Sequence, residues 1–252
     1  MKVSIVIPTY HRKDSLARLL RTIKDKAEII VVEQEENNGA FFRSIRPIKY
    51  IYLPKKSTPH AMNVGVSKAK GDLILFLDDD VTTTPGFIQH HTNNFKDTHI
   101  AATVGRIITD GQPIQPDKRN TGHIYWLGIF SDGFSSTIRQ EVDTVIGANT
   151  CWRKDVFKNL GGFDERFVGN AMRFESDLSL RAKRNGYKIL FEPKALVYHH
   201  RVPTGGTRRT EGIIRWYIDY FWNETLFYIK NGSVILLPLF WLTRIYWVLT
   251  NL

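Results

Sequence analysis

The sequence predicts an α/β fold in which helices flank a mainly parallel central sheet. Short apolar runs alternate with segments of helical periodicity over residues 1–110, and strand–helix–strand order implies parallel strands joined by right-handed crossovers. The run at 73–77 is wholly apolar, as expected for a central strand that is covered on both faces. With 252 residues, 42% of them hydrophobic, the chain is long enough to bury such a core.

The first half of the chain predicts four strands and three helices. Leucines at 16, 19 and 20 share one helical face, which predicts a helix between the first two strands. A second helix covers 58–69, with Pro59 in its first turn, where proline is favoured. Pro85 begins a third. The predicted strands are Val3–Ile7, Glu28–Val32, Ile48–Leu53 and 73–77.

The second half begins after 110–122, a stretch rich in turn-forming residues that predicts a loop. It restarts with the apolar segment 145–149. We expect helices near 153–160 and 176–185, and strands at Lys188–Phe191 and Ala195–His199. This organisation divides the chain into a catalytic domain over 1–210, with halves 1–110 and 111–210, and a helical tail over 211–252.

Three consecutive carboxylates, Asp78, Asp79 and Asp80, follow the apolar run directly. Crowding them at the end of a buried strand is costly unless a cation neutralises them. Mg²⁺ and Mn²⁺ prefer oxygen ligands of this kind. Since ligands gather at the carboxyl ends of parallel strands, we expect 8–10 and Glu33 to lie in the same crevice. The alternative is a solvated acidic turn.

Composition limits the partners and the compartment. The formal charge of +10 favours nucleic acid, anionic lipid or phosphorylated small molecules. The sequence has neither zinc-finger spacing nor an aromatic RNA-binding signature, so we expect no nucleic-acid partner. The single cysteine, Cys151, cannot form an internal disulfide and suits a reducing compartment. The N-terminus reads directly as a strand without a signal peptide, which predicts a cytoplasmic protein.

The order of several short motifs resembles the family 2 glycosyltransferases, which use nucleotide sugars and have a GT-A fold. The resemblance covers roughly residues 1–200. It implies an inverting, metal-dependent transfer of a hexosyl or deoxyhexosyl group from a nucleotide-diphosphate sugar to a hydroxyl of a glycan or lipid-linked acceptor. The motifs are 5–10 (Ile-Val-Ile-Pro-Thr-Tyr), Asn63 with Gly65, Gly71-Asp72, 78–80, 161–165 (Gly-Gly-Phe-Asp-Glu) and 175–181 (Glu-Ser-Asp-Leu-Ser-Leu-Arg).

The resemblance also implies site residues. Asp78 and Asp80 fall on the Asp-X-Asp motif that binds Mn²⁺ or Mg²⁺, and His199 is a further metal candidate. His200 points to the opposite face, because side chains alternate along a strand. The expected nucleotide contacts are Pro8, Thr9, Tyr10, Glu33, Asn63, Asp72, Asp78 and Asp79.

The same resemblance implies a general base in the second half. Aligning Asp177-Leu178 with the family motif puts Glu175 at the position of the base, where it would take the proton of the acceptor hydroxyl. Asp177 is the alternative. Residues two apart on a helix face different ways, so we expect only one of them to reach the acceptor. We favour Glu175, since Asp177 lies four residues before Arg181 in a structural pairing.

Some positions depart from the family pattern or carry weaker expectations. Glu33 stands where the family often has aspartate and Met62 where an arginine is common, so the nucleobase and the sugar of the donor both stay open. Arg208 and Arg209 suit a diphosphate-binding lid, against the alternative of a solvated basic linker. Trp152 is a candidate acceptor platform, against core packing.

The tail is rich in aromatic and aliphatic residues. The run 234–242 is shorter than the roughly 20 residues of a membrane-crossing helix, and Pro238 interrupts it. Tryptophan and tyrosine prefer the membrane interface. We therefore expect the tail to lie on the inner face of the cell membrane. The alternatives are packing against the catalytic domain or a partner chain, and a homo-oligomer stays open.

Two other functions compete with glycosyl transfer. A nucleotidyltransferase would need a glycine-rich, basic phosphate loop after the first strand, and Pro8-Thr9-Tyr10-His11 is not one. A non-enzymatic module that binds nucleic acid or a membrane surface would leave the three aspartates without a purpose.

Overall fold

The computed structural model describes residues 1–206 and 212–250. Its strands are β1 (Val3–Tyr10), β2 (Glu28–Gln34), β3 (Lys49–Leu53), β4 (Leu73–Leu77), β5 (Val81–Thr83), β6 (Ile100–Thr109), β7 (Gln140–Glu141), β8 (Asn149–Arg153) and β9 (Lys188–His199). Its helices are α1 (Lys13–Thr22), α2 (Gly39–Ile45), α3 (Thr58–Lys68), α4 (Phe87–Thr92), α5 (Lys154–Asn159), α6 (Phe174–Arg184), α7 (Ile213–Asn231) and α8 (Leu237–Thr250).

The strands form one sheet in the order β3-β2-β1-β4-β8-β6-β9-β5, and β7 pairs with β9. Strands β3, β2, β1 and β4 are mutually parallel, as their crossover helices require. β8 enters antiparallel between β4 and β6. The predicted α/β class and its mainly parallel sheet, flanked by helices, are confirmed.

Side-chain alternation along the strands builds a core on each face of the sheet. Val6, Ile30 and Ile74 face a core with α3, α5 and α6, and Phe227 of α7 packs into that same core. Ile7 belongs to the opposite core, which α1, α2 and α4 cover. The carboxyl ends of β1 and β4 therefore meet at one edge of a three-layer structure.

Two differences from the predicted elements have physical causes. β6 was not predicted, and it lies between β8 and β9 in the sheet. The two strands predicted at 188–191 and 195–199 are one strand, whose register against β6 shifts between Glu192 and Leu196. Pro193 has no N–H to donate, so the ladder is interrupted there.

The tail is helical, as predicted, and one of its faces packs on the rest of the chain. On α7, Asp219, Tyr220, Asn223, Glu224, Phe227 and Tyr228 are buried, and on α8, Phe240 and Arg244 are buried. Within residues 1–206 and 212–250, no helix combines the length and apolar character needed to cross a membrane. The division into 1–210 and 211–252 stays a prediction.

A buried histidine joins α4 to strands β6 and β8. The ring of His91 is fully buried between the Thr103 hydroxyl, 2.7 Å from Nδ1, and the Asn149 side-chain oxygen, 2.9 Å from Nε2. A neutral ring satisfies both partners, with Nε2–H donating and Nδ1 accepting. Burial lowers the pKa of His91 to about 4, because the charged form loses its hydration.

We expect His91 to make stability depend on pH. The folded protein binds fewer protons at His91 than the unfolded chain between pH 4 and 6.5, so this contribution is complete above about pH 6.5 and is lost as pH falls toward 4. Urea unfolding of the wild type and His91→Gln should give a free-energy difference that shrinks by about 2 kcal/mol from pH 7.5 to pH 5. A difference that does not change with pH would contradict this assignment.

Candidate active site

The carboxyl edge of the sheet carries a cleft between the two halves of the chain. Its first cavity, of about 110 Å³, lies over the ends of β1 and β4 and over the segment before β8. It brings together Pro8, Thr9, Tyr10, Arg12, Gln34, Thr58, Met62, Asp78, Asp79, Ile146, Gly147, Ala148, Asn170, Phe174, Glu175, His199 and Gly206.

A second cavity, of about 260 Å³, adjoins the first and shares Asp78, Ile146, Ala148 and His199 with it. It lies on the side of β6 and β9. Its lining combines apolar side chains with side-chain amides and a carboxylate, at Ile107, Phe134, Gln112, Gln115 and Asp132. Groups of this kind can bind the hydroxyls and the apolar faces of a sugar ring.

Three predicted metal candidates meet where the cavities join. One ligand atom each from Asp78, Asp80 and His199 lies within 4.8 Å of the other two. The Nε2 atom of His199 is 3.0 Å from Asp80 Oδ1 and 3.9 Å from Asp78 Oδ2. Carboxylate oxygens and an imidazole nitrogen are ligands for divalent cations, so these residues fit a metal of the kind that the family pattern implies.

Arg12 balances the buried negative charge of this cluster. Its Nη1 atom donates to Asp79 at 3.0 Å and to Asp80 at 2.8 Å. Its Nη2 atom donates to the Val202 carbonyl and its Nε atom to the Thr204 carbonyl. Both carbonyls belong to the segment 202–206 after β9, which we call the strap. Burial alone would lower the pKa of Arg12, but the Asp79 and Asp80 carboxylates outweigh it and raise that pKa.

Asp79 is buried at the ends of β1 and β4. Its carboxylate accepts hydrogen bonds from the Thr9 hydroxyl at 2.7 Å and from Arg12. Burial raises the pKa of Asp79 to about 7, because desolvation disfavours the charged form more than these bonds favour it. Through these two hydrogen bonds, Asp79 at the end of β4 holds Thr9 and Arg12 at the end of β1.

Glu175 and Asp177 lie in different surroundings. Glu175 lines the first cavity, and its Oε1 accepts a hydrogen bond from the Gly147 N–H at 3.0 Å. Asp177 is fully buried and pairs with Arg181 at 2.9 Å and Lys230 at 2.8 Å. The geometry therefore leaves Glu175 as the carboxylate at the cleft, while Asp177 ties α6 to α7.

Three of the predicted nucleotide contacts lie outside both cavities. Asp72 precedes β4 at the opposite edge of the sheet, where it accepts a hydrogen bond from the Lys2 backbone N–H, which corrects the prediction. Glu33 is buried and accepts hydrogen bonds from Asn38 and from the Tyr50 hydroxyl. Asn63 bonds both backbone groups of Phe163, and so it positions the 161–165 loop.

One further prediction is corrected, the expected orientation of His200 is observed, and one pair of residues cannot be placed. Trp152 is fully buried between β4 and β6 in the hydrophobic core, so it has no surface for an acceptor. His200 points away from the cluster and contacts Asp110 and Thr82. Arg208 and Arg209 lie outside the described residues.

The sequence reasoning missed Arg12 and Gly147. Arg12 follows the 8–10 segment by two residues, so a cation next to the predicted crevice was visible. Its pairing with Asp79 and Asp80, which lie 67 and 68 positions further along the chain, was not visible in the sequence. Gly147 acts through its backbone N–H, and no residue type marks such a donor.

The profile of the family described as "Glycosyl transferase family 2" matches residues 4–161. The chain belongs to this family. Relatives include the pre-mycofactocin glycosyltransferase of Mycobacterium tuberculosis, 27% identical over 79% of this chain and 43% of its own length. The glucosyl-dolichyl phosphate glucuronosyltransferase of Haloferax volcanii is 24% identical over 79% of this chain and 69% of its length. The family 2 chain thus spans less than half the length of the first of these relatives.

Solved structures share the fold. GalNAc-T7, solved with UDP, GalNAc and Mn²⁺, superposes with a TM-score of 0.66 at 19% identity, over 79% of this chain and 44% of that chain. The mannosyltransferase PcManGT of Pyrobaculum calidifontis, in complex with GDP-Man and Mn²⁺, gives 0.62 at 15% identity, over 92% and 65%. The GT-A fold is confirmed.

We expect Asp80→Asn to weaken Mn²⁺ binding by about tenfold or more, because it removes one charged oxygen ligand from the cluster. Isothermal titration calorimetry with Mn²⁺ measures the change. Asp110→Asn is the matched control, since Asp110 is an exposed carboxylate that pairs with His200 on the other side of β9. Equal Mn²⁺ affinity in Asp80→Asn and the wild type would exclude Asp80 as a ligand.

Proposed function

We propose that this family 2 protein is a metal-dependent, inverting glycosyltransferase that uses a nucleotide-diphosphate sugar. The observation that carries the proposal is one cavity that Glu175, Asp78 and His199 line together. A single displacement at a sugar carbon needs a carboxylate base and a site for the charge of the leaving group within reach of one bound donor.

The proposed reaction exchanges one bond for another. The acceptor hydroxyl oxygen attacks the anomeric carbon, its proton passes to the Glu175 carboxylate, and the bond from that carbon to the diphosphate oxygen breaks. The Gly147 N–H fixes one oxygen of Glu175. A divalent ion held by Asp78, Asp80 and His199 would stabilise the negative charge of the departing diphosphate.

The donor would occupy the first cavity along Pro8, Thr9 and Tyr10. These residues form its wall at the end of β1, and the structural relatives were solved with UDP or GDP-Man. Met62 also lines this wall. Since a thioether offers no charged donor to a nucleobase, base selection would depend on backbone groups and on Gln34.

The acceptor would be a glycan or a lipid-linked sugar in the second cavity. Its amide and carboxylate side chains suit sugar hydroxyls. Relatives with such names include the O-antigen chain rhamnosyltransferase RfbN of Salmonella typhimurium, 26% identical over 79% of this chain and 66% of its own length.

The proposal predicts slow donor hydrolysis that depends on Glu175. UDP-, GDP- and dTDP-sugars with Mn²⁺ or Mg²⁺ should include one nucleotide class that raises the melting temperature and is hydrolysed, with release of the nucleoside diphosphate. Glu175→Gln should lower kcat by about 100-fold or more, because the base is lost, while the donor still raises the melting temperature.

Asp177→Asn is the matched control for this experiment. It removes a buried charge that pairs with Arg181 and Lys230, so we expect a lower melting temperature and near-normal turnover per folded molecule. If no nucleotide raises the melting temperature with either metal, the proposed function is wrong. If Asp177→Asn abolishes turnover and Glu175→Gln does not, the base is misassigned.

We further propose that the tail places this cleft beside a membrane surface. α7, α8 and residues 234–236 between them carry large exposed apolar side chains. We call them the exposed tail face: Ile213, Ile214, Ile218, Trp222, Ile229, Val234, Ile235, Leu236, Leu239, Trp241, Leu242, Ile245, Tyr246, Trp247 and Leu249. Apolar and aromatic side chains in this number exceed what a typical soluble surface exposes, and the net charge of +10 favours anionic lipid.

We expect the protein to cosediment with vesicles of phosphatidylcholine and phosphatidylglycerol. Ile235 and Leu242 are 89% and 62% exposed, and replacing both with Asp should weaken the partition by about tenfold or more, because each loses its apolar burial in lipid. The control is Ile114→Asp, since Ile114 is 62% exposed in the distant 110–122 loop. Concentration-dependent dimers without vesicle binding would instead assign the exposed tail face to a second copy of the chain.

A further inference from the structure

Two arginines and one glutamate form a buried cluster between the tail and the start of α6. Glu224 of α7 is 1% exposed. Its Oε1 is 2.5 Å from Arg173 Nε, and its Oε2 is 2.7 Å from Arg244 Nε. Both arginine side chains are also largely buried. The carboxylate is therefore held on both sides by charges that water does not screen.

This cluster joins four segments of the chain. Arg173 precedes α6, Glu224 lies in α7, and Arg244 lies in α8. Both arginines also donate to the Gly128 carbonyl, at 3.1 Å from Arg173 Nη2 and 2.9 Å from Arg244 Nη2. Arg244 Nη2 reaches the Leu127 carbonyl as well, at 2.9 Å. These contacts fix α7 and α8, which carry the exposed tail face, to Arg173. This residue immediately precedes α6, the helix that contains Glu175.

The backbone at the start of α6 needs this support. Ala171 and Arg173 have φ angles of 50° and 76°, in the left-handed region that costs non-glycine residues free energy. Such conformations persist where surrounding contacts hold them. The Arg173 side chain is held by Glu224 and Gly128, and Glu175 follows two residues later in the first turn of α6.

We propose that Glu224 is a positioning residue for Glu175. By holding Arg173 in the left-handed conformation, its carboxylate sets the direction in which α6 begins, and so the position of Glu175 opposite Gly147. The role in turnover rests on the proposed function, while the role in ordering the start of α6 does not.

Asp219 supplies a matched control on the same helix. It is 4% exposed and also pairs with an arginine, Arg215, at 3.1 Å. That arginine lies on α7 itself, four residues away, and the Asp219 carboxylate otherwise packs against Gly169. The Asp219 pair therefore contains no residue of α6 or of the strained segment 171–173. A general loss of stability in α7 should appear in variants of either residue, whereas a displaced Glu175 should appear only in variants of Glu224.

The experiment compares Glu224→Gln, Glu224→Asp and Asp219→Asn with the wild type. Hydrogen exchange of the backbone amides of 174–177 reports the order of the α6 start without any substrate. Hydrolysis of UDP-GalNAc, UDP-glucose and GDP-mannose with Mn²⁺ reports kcat and KM for whichever donor the wild type uses. Thermal melting shows that each variant is folded at the assay temperature.

We expect Glu224→Gln to speed exchange at 174–177 by about tenfold or more, and to lower kcat by a similar factor with little change in KM. Glu224→Asp keeps the charge and should recover part of both. Asp219→Asn should match the wild type in exchange at 174–177 and in kcat.

Wild-type exchange and kcat in folded Glu224→Gln would overturn the proposal. If that variant is unfolded, Glu224→Asp decides by the same two measurements. If the wild type hydrolyses none of the three donors, the proposed function is in question, and hydrogen exchange alone still decides whether Glu224 orders the start of α6.

Discussion

The burial of adjacent carboxylates at the end of β4 is the constraint on which the site depends. Asp79 and Asp80 are 5% and 2% exposed, and desolvating two neighbouring negative charges is costly unless cations or donors surround them. Arg12 donates to both carboxylates from the loop after β1. The need to neutralise Asp79 and Asp80 therefore fixes how β1, β4, β9 and the strap after β9 approach one another.

The fold was predictable where the pattern is local. Continuous apolar runs such as 73–77 and regular leucine spacing in α1 give their elements directly. β6 was missed because 100–105 contains two alanines and a glycine, which are depleted in strands. The antiparallel entry of β8 between β4 and β6 could not be read from the sequence, since strand order depends on contacts between distant segments.

The site divides in the same way. A sequence motif marks the side chains at strand ends, and the structure gathers Asp78, Asp80, His199 and Glu175 around one cleft. The sequence motif does not mark the groups that bind these carboxylates. The guanidinium of Arg12 and the backbone N–H of Gly147 are identified only by three-dimensional proximity. Trp152 shows the reverse error, because an aromatic residue near a predicted site was given a surface role although strand β8 is central and buried.

The strap from Val202 to Gly206 links one wall of the cleft to the cation that compensates its carboxylates. It is held by Arg12 and by the hydrogen bond from the Gly206 N–H to the Tyr10 carbonyl, 2.8 Å long, and Gly206 forms part of the wall of the first cavity. The same Arg12 guanidinium donates to Asp79 and Asp80. A movement of the strap would therefore also displace this guanidinium, so the shape of the cavity and the electrostatic potential at the two carboxylates are coupled.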